Sequence, residues 1–217
     1  MRHLFNRFIN RDNVNLDISN KCTLECIACS RQTNRFAGKP VPGYDTSISG
    51  WTKMCKHFKQ LCLCGQISDP IFNPNLIEML RYCYVNNIPV LVNTAASQRK
   101  KHWYEKAYRA NPKARWIFGI DGLPKDSHKY RIHQNGEHLF EMMKLGAQMG
   151  LEVAWQYLVF NYNENDIETA RNMAKANNIY FKLTFSGRWT ETMLPYKPNN
   201  PKNYINSDRK LKNETIS

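Results

Sequence analysis

Short apolar segments alternate with helix-like segments along most of this chain of 217 residues. The apolar segments predict six strands, at residues 13–18, 60–65, 89–94, 115–122, 151–160 and 179–185. Amphipathic helices are predicted at residues 75–84, 103–108, 138–149 and 166–176. Strands that alternate with helices form a parallel sheet with the helices packed outside it, joined by right-handed crossovers. The alternation therefore predicts an α/β protein whose functional loops lie at the carboxyl ends of the strands.

Three cysteines, Cys22, Cys26 and Cys29, stand close together directly after the first predicted strand. Their spacing is C-x3-C-x2-C, and no fourth cysteine follows nearby. Four cysteines would saturate a zinc ion or an iron-sulfur cube, whereas three thiolates on a [4Fe-4S] cube leave one iron open to another ligand. The trio therefore indicates a cluster that takes part in chemistry rather than one that only supports the fold.

A structural zinc site in a nucleic-acid-binding module is the alternative reading of the same cysteines. Either Cys55 or His57 would supply the fourth ligand. The spacing disfavours this reading, because zinc modules usually pair their ligands as two close couples.

The cysteine spacing is the signature of the radical S-adenosylmethionine (SAM) enzymes, and residues 13–189 resemble that family. The resemblance implies a partial (β/α)6 barrel, a [4Fe-4S] cluster held by Cys22, Cys26 and Cys29, and SAM on the open iron. It also implies reductive cleavage of SAM to a 5′-deoxyadenosyl radical, which abstracts hydrogen from a substrate. Flavodoxin or ferredoxin would donate the electron, and the substrate is left open between a peptide or protein side chain, a nucleotide and a sugar.

The resemblance extends to the loops that would hold SAM. Residues 65–70 fall where relatives carry a Gly-Gly-Glu-Pro-like stretch that holds the SAM amino group, so Gly65, Ser68 and Asp69 are candidate contacts, with Asp69 in place of the glutamate. A glycine there permits close approach of the backbone to a ligand. Asn93 and Thr94 end the third predicted strand where the family often has Thr-Asn-Gly, and they form a second candidate pair.

The stretch from residue 120 to 131 resembles the family's strand-four element, in which an Asp-Gly turn precedes a His-Asp-x-x-Arg pattern. By this resemblance Asp121 belongs to the site and Arg131 pairs with the SAM carboxylate, which a planar guanidinium suits. Gln156, on the fifth predicted strand, is a candidate contact with ribose or substrate. Residues 161–164 also resemble the family, where an asparagine often follows that strand.

One residue departs from the family pattern. Relatives usually place an aromatic residue before the third cysteine, near the adenine, and this chain has Ala28. The candidates to replace that ring are Tyr130, Phe36 and Trp155. The candidates for a later proton or hydrogen donor are Cys64, Tyr157 and Lys182.

Composition limits the class of protein. The chain has seven cysteines, and the four outside the trio, Cys55, Cys62, Cys64 and Cys83, are predicted to be buried free thiols in a reducing compartment. The formal net charge of +13 is concentrated at the two ends of the chain. This excess suits an anionic or polymeric partner, and a solvated basic surface explains it equally well.

We expect one domain with three parts: a lead at residues 1–12, a core at 13–189 and an irregular tail rich in Pro, Asn and Lys at 190–217. No apolar run reaches the roughly 18 residues that a membrane span needs. The first residues carry charges where a signal peptide would be apolar. The expectation is therefore a soluble cytoplasmic protein without a membrane partner.

Overall fold

The computed structural model describes residues 13–204. Six parallel strands form one sheet in the order of the chain. The strands are β1 (Asn13–Leu16), β2 (Gln60–Leu63), β3 (Val90–Thr94), β4 (Arg115–Gly119), β5 (Val153–Leu158) and β6 (Tyr180–Thr184). The helices are α1 (Ser30–Phe36), α2 (Ile48–Cys55), α3 (Leu76–Val85), α4 (Lys101–Ala110), α5 (Gly136–Gln148) and α6 (Ile167–Ala176). The predicted α/β architecture with an open, partial (β/α)6 barrel is confirmed.

All six predicted strands are present, and several are shorter than the sequence suggested. The fourth was predicted to reach residue 122 but ends at Gly119, and the fifth ends at Leu158 rather than at residue 160. The pairing of β4 with β5 ends where a side chain takes over a backbone hydrogen bond. Asp121, for example, accepts a hydrogen bond from the backbone of Leu158 at 3.0 Å instead of continuing the ladder.

The main hydrophobic core lies between the sheet and the helices. Successive strand side chains point to opposite faces, so every second residue packs outward against the helices. Trp116, Phe118 and Trp155 are buried on this outer face, and Trp155 packs edge-on against Phe140 of α5 with ring centroids 5.1 Å apart. Burial of such rings removes a large apolar area from water and stabilises the barrel wall.

The inner face of the sheet, which lines the lumen of the barrel, carries smaller and more polar side chains. Leu91, Ile117 and Ala154 form a small separate cluster on it. Above this cluster, towards the carboxyl ends of the strands, polar side chains join the inner face, among them Gln156 and Lys182. The lumen of the barrel therefore has an apolar floor and a polar upper wall.

Two short helices between β1 and β2 were not predicted. Helix α1 has the polar sequence SRQTNRF and begins at Cys29. Helix α2 follows Ser47, whose hydroxyl accepts a hydrogen bond from the backbone of Gly50, a standard N-terminal cap. Trp51 of α2 is fully buried and donates from its ring to the carbonyl of Met79.

The segment after β6 is irregular, as predicted, with two short 3-10 turns at Leu194–Tyr196 and Pro201–Asn203. It packs against the sheet, because Met193 is buried and Asn161 donates from its backbone to the Tyr196 carbonyl at 3.0 Å. The Glu164 carboxylate accepts hydrogen bonds from the backbones of residues 199 and 200 at 2.9 and 3.1 Å. The predicted lead at 1–12 and the end of the tail at 205–217 lie outside the described residues.

The remaining thiols divide into two kinds. Cys55 and Cys83 are buried free thiols, as predicted. Cys62 and Cys64 are also free but only partly buried, because they lie on the inner face of β2 and in the loop that follows it. Of the helices in residues 13–204, none is long and apolar enough to cross a membrane.

Candidate active site

Cys22, Cys26 and Cys29 lie in one loop at the carboxyl end of β1, and all three are free, half-buried thiols. The backbone of Cys29 donates to the Cys26 carbonyl at 3.0 Å. The Cys22 sulfur accepts a hydrogen bond from the backbone of Leu24 at 3.5 Å. Gln32 of α1 fixes the loop by donating to the Leu24 carbonyl at 3.1 Å. The three thiols are thus presented at the mouth of the barrel by a loop with its own internal hydrogen bonds.

The surroundings of Cys22 and Cys26 favour the neutral form of these two thiols when no metal is bound. Burial, with the nearby charge of Asp69, raises the pKa of Cys22 to about 12. Burial also raises the pKa of Cys26, although the neighbouring Arg131 opposes this. Metal binding at this loop must therefore displace protons.

Three thiolates are the donor set that a [4Fe-4S] cube takes when one iron is left to another ligand. Within residues 13–204, no three His, Cys, Asp or Glu side chains come together as a single-metal site. In a [4Fe-4S] cube each thiolate binds a separate iron, so the ligands stand farther apart than around one zinc ion. Neither proposed fourth zinc ligand is placed to help, because Cys55 is buried in hydrogen-bonding contact with Cys83 and His57 is exposed beyond α2.

The loop after β2 is shaped by Asp17, a residue that the sequence analysis did not single out. Its carboxylate accepts hydrogen bonds from the backbones of Gln66, Ile67 and Ser68 at 3.1, 3.2 and 3.1 Å, and from the Ser68 hydroxyl at 2.7 Å. Gly65 turns the chain with a φ of +53°, and a Cβ there would lie 2.3 Å from the Ser68 carbonyl oxygen. Gly65 and Ser68 are therefore positioned beside the cysteine loop, with the Ser68 hydroxyl engaged by Asp17.

Asp69 ties three loops together. Its buried carboxylate accepts hydrogen bonds from the Thr94 hydroxyl and from the backbones of Ala95, Ala96 and Ile71, at 2.8 to 3.2 Å. Its own backbone donates to the Lys21 carbonyl at 2.9 Å, next to the cysteine loop. The structure thus brings the candidates Asp69 and Thr94 into contact with each other. A contact of either with SAM stays a prediction.

Asp121 and Arg131 form a buried ion pair on the other side of the mouth. Arg131 Nε lies 2.7 Å from Asp121 Oδ2. The guanidinium passes over Gly119, where a Cβ would lie 2.8 Å from Arg131 Nη2. Burial alone would lower the pKa of Arg131, but the charge of Asp121 outweighs it and raises that pKa. Arg131 is therefore a permanent cation, close enough to Cys26 to influence its pKa.

The last two candidates, Asn93 and Gln156, lie on the inner face of the sheet. Asn93 Nδ2 is 3.3 Å from Cys62 Sγ and 3.4 Å from the Leu63 carbonyl oxygen. Gln156 Oε1 accepts a hydrogen bond from Lys182 Nζ at 3.2 Å. Both side chains therefore line the lumen below the cysteine loop.

Of the three aromatic candidates for adenine packing, only Tyr130 lies at the mouth. It is buried beside Cys26 and Ala28 and packs at a tilt against Phe160, with ring centroids 4.4 Å apart. Trp155 faces the helices, and Phe36 is 88% exposed. Among the donor candidates, Tyr157 also faces away from the lumen, because it is buried in the outer core and its hydroxyl donates to the Asn163 carbonyl.

Comparison with known proteins finds solved structures of the same architecture. No family model and no curated protein matches the chain. Among solved structures, Streptococcus suis SuiB bound to S-adenosylmethionine superposes with a TM-score of 0.64 at 13% identity, over 94% of this chain and 46% of that one. Methylornithine synthase (PylB) gives 0.60 at 17% identity, over 79% and 52%, and anSMEcpe with bound AdoMet gives 0.58 at 14%, over 79% and 48%.

These neighbours are radical SAM enzymes. The superpositions show that this chain has the radical SAM partial-barrel fold, as the sequence predicted. The chain spans about half the length of each of the three proteins.

Proposed function

We propose that this protein is a radical SAM enzyme. Cys22, Cys26 and Cys29 would hold the [4Fe-4S] cluster, with SAM bound at the fourth iron. When bound, such a cluster supplies the electron that cleaves SAM to a 5′-deoxyadenosyl radical, and the radical abstracts hydrogen from a substrate. The observation that carries the proposal is the set of three free thiols, in the C-x3-C-x2-C spacing, on the loop after β1 of a radical SAM fold.

The residues around the cysteines supply groups that SAM requires. Arg131 uses Nε for Asp121, which leaves its two Nη groups as parallel donors for the SAM carboxylate. The loop that Asp17 organises brings backbone and side-chain groups of residues 65–69 beside the cysteine loop, where the SAM amino group would bind. Tyr130 is an aromatic residue next to Ala28, which lacks the usual ring, and it is the candidate to pack on the adenine. The site could therefore hold the adenine without an aromatic residue before Cys29.

The substrate remains open between a peptide or protein side chain, a nucleotide and a sugar. A peptide is one precedent within this fold, since SuiB has been solved bound to its precursor peptide SuiA. We propose a flavodoxin or ferredoxin as the electron donor. We also propose a cytoplasmic location, because free thiols and an exposed iron-sulfur cluster require a reducing compartment.

The test is anaerobic reconstitution with iron and sulfide, followed by reduction with dithionite in the presence of SAM. We expect a brown protein with about four irons per chain that releases 5′-deoxyadenosine. Changing Cys22, Cys26 or Cys29 singly to Ala is expected to abolish cleavage, because two thiolates do not retain the cube. Cys64→Ser, which alters a free thiol outside the trio, is the matched control and should keep the iron. A colourless zinc protein, or full SAM cleavage in any variant of the trio, would refute the proposal.

A further inference from the structure

The helices outside the sheet differ in charge from one side of the barrel to the other. Residues 76–113, which hold α3 and α4, contain seven Lys or Arg and two Asp or Glu. Residues 136–176, which hold α5 and α6, contain three Lys or Arg and six Asp or Glu. The proposed SAM site lies at the mouth of the barrel and does not explain this asymmetry.

Helix α4 carries the centre of the positive side. Tyr104, Ala107 and Tyr108 of this helix are buried in the core. Lys106 and Arg109 are exposed, and side chains three residues apart are neighbours on one face of a helix. The packing of the buried face therefore fixes these two cations side by side in water.

The turn after α4 and the neighbouring helix α3 extend this surface. Lys113 Nζ lies 5.7 Å from the centroid of the Tyr84 ring of α3, and Asn111 donates from its side chain to the Leu80 carbonyl at 3.2 Å. These contacts tie the end of α4 to α3. We call the exposed cations of this surface the basic wall, and they are Arg81, Lys100, Lys101, Lys106, Arg109 and Lys113.

Few carboxylates neutralise the basic wall. Lys101 lies 4.0 Å from Glu105, which is a weak, exposed pair. Within residues 13–204, no other member of the wall has a carboxylate within 4.0 Å. Exposed charges act over about 10 Å at about 0.1 M salt, so the cations reinforce one another and produce a positive potential along α4.

The chemistry of this surface favours a nucleic acid over an acidic protein. The centre of a protein–protein interface is apolar, but no large exposed apolar side chain in residues 13–204 belongs to α4. A phosphate backbone needs only cations and hydrogen-bond donors. Arginine adds parallel donors that match two phosphate oxygens.

We propose that the basic wall binds the phosphate backbone of a nucleic acid. Helix α4 begins after the loop at the carboxyl end of β3, so Lys100 and Lys101 at its start lie towards the mouth of the barrel. A strand bound along α4 would therefore extend towards the candidate active site. The proposal goes beyond the proposed function, because the wall would bind a phosphate backbone with or without SAM.

The test measures binding of the full-length protein to a fluorescein-labelled RNA hairpin and, in a separate arm, to a labelled DNA duplex. Fluorescence anisotropy is recorded over a series of salt concentrations. The variant carries Lys106→Gln together with Arg109→Gln. We expect its affinity to fall at least about tenfold at about 0.1 M salt, and the slope of log affinity against log salt to become shallower by about two.

The matched control carries Arg171→Gln together with Lys175→Gln, which removes the same net charge from exposed positions of α6. Because α5 lies between α4 and α6, these side chains are about 20 Å from the basic wall at the usual helix spacing. That distance exceeds the screening length of about 10 Å at about 0.1 M salt. The control should therefore bind within about twofold of the unchanged protein.

Binding of either probe that weakens in the α4 variant and not in the α6 variant supports the proposal, and the stronger arm tells whether the wall prefers RNA or DNA. Absence of binding in both arms overturns it. Equal losses in the two variants also overturn it, since net charge alone would then cause the attraction. Polyglutamate is the third arm; if it binds and loses affinity in the α4 variant while neither nucleic acid does, the partner is an acidic protein and the proposal is wrong.

Discussion

The loop after β2 and the loop after β4 each bury an aspartate at the mouth of the barrel, but the two carboxylates are balanced in different ways. Asp69 accepts hydrogen bonds from four neutral donors. Asp121 accepts one backbone hydrogen bond from Leu158 and is otherwise paired with the Arg131 cation. The first arrangement uses its carboxylate to join loops. The second fixes a cation that still has donors to offer.

We infer from this difference that Asp69 has a structural role and that Arg131 can bind a ligand. Neutral donors that surround a buried carboxylate are consumed by it, so Asp69 has little capacity for a ligand. A guanidinium has five donors, and Arg131 Nε is the donor that lies against Asp121, at 2.7 Å. Substitution of Asp69 should therefore lower stability, whereas substitution of Arg131 should lower both stability and SAM affinity.

The largest effect is expected for Asp69→Ala. Four buried donors would lose their acceptor at once, and we expect the free energy of unfolding to fall by about 3 to 5 kcal/mol. Urea denaturation measures the loss. Glu141→Ala, which removes only an exposed ion pair with Lys144, is the control and should change stability by less than about 1 kcal/mol. A loss as small as that of the control would mean that Asp69 does not hold the loops together.

Arg131→Met tests the other side of the comparison. The substitution leaves Asp121 buried without its cation, and we expect a loss of about 3 kcal/mol in stability with SAM binding at least about tenfold weaker. Urea denaturation and calorimetric titration of reconstituted protein measure the two quantities.

The double variant Arg131→Met with Asp121→Asn sharpens this result. Neutralising Asp121 should restore part of the stability but none of the SAM affinity, while the iron content stays unchanged. If SAM affinity returns with stability, Arg131 serves only as the counter-ion of Asp121.

Gly119→Ala should have the smallest effect. Its added Cβ would lie 2.8 Å from Arg131 Nη2, so the guanidinium must shift, at a cost of about 1 kcal/mol in stability. We expect SAM to bind several-fold more weakly. Gly50→Ala is the control, since its Cβ would meet neighbours at an ordinary 3.5 Å. Unchanged SAM affinity in Gly119→Ala would show that the position of Arg131 over this glycine is unimportant.

The sequence predicted the sheet well because its strands alternate strongly. In β4 and β5, for example, large rings such as Trp116 and Trp155 recur at every second position, and the period of two is hard to mistake. Helices α1 and α2 were missed because α1 is polar up to its last residue and α2 contains a glycine. Their helical form depends on contacts such as the burial of Trp51, which no local pattern reveals.

The site was predictable only where a motif is local. Cys22, Cys26 and Cys29 share one loop, so their spacing alone was enough to propose them as a set of ligands. Asp17 binds residues 49 to 51 positions away, and its role becomes visible only when β1 and β2 pair. An aspartate at the end of a strand just before the cysteines was the available signal.

The segment after β6 limits how far the chain can be shortened. Met193 and Tyr196 lie against Tyr130 and Phe160, which in turn border the cysteine loop. A shortened chain that stops at residue 189 would uncover these rings and expose an apolar surface next to the cysteine loop. We therefore expect the smallest folding unit to extend past β6. The Glu164 carboxylate fixes this extension by accepting hydrogen bonds from Asn199 and Asn200.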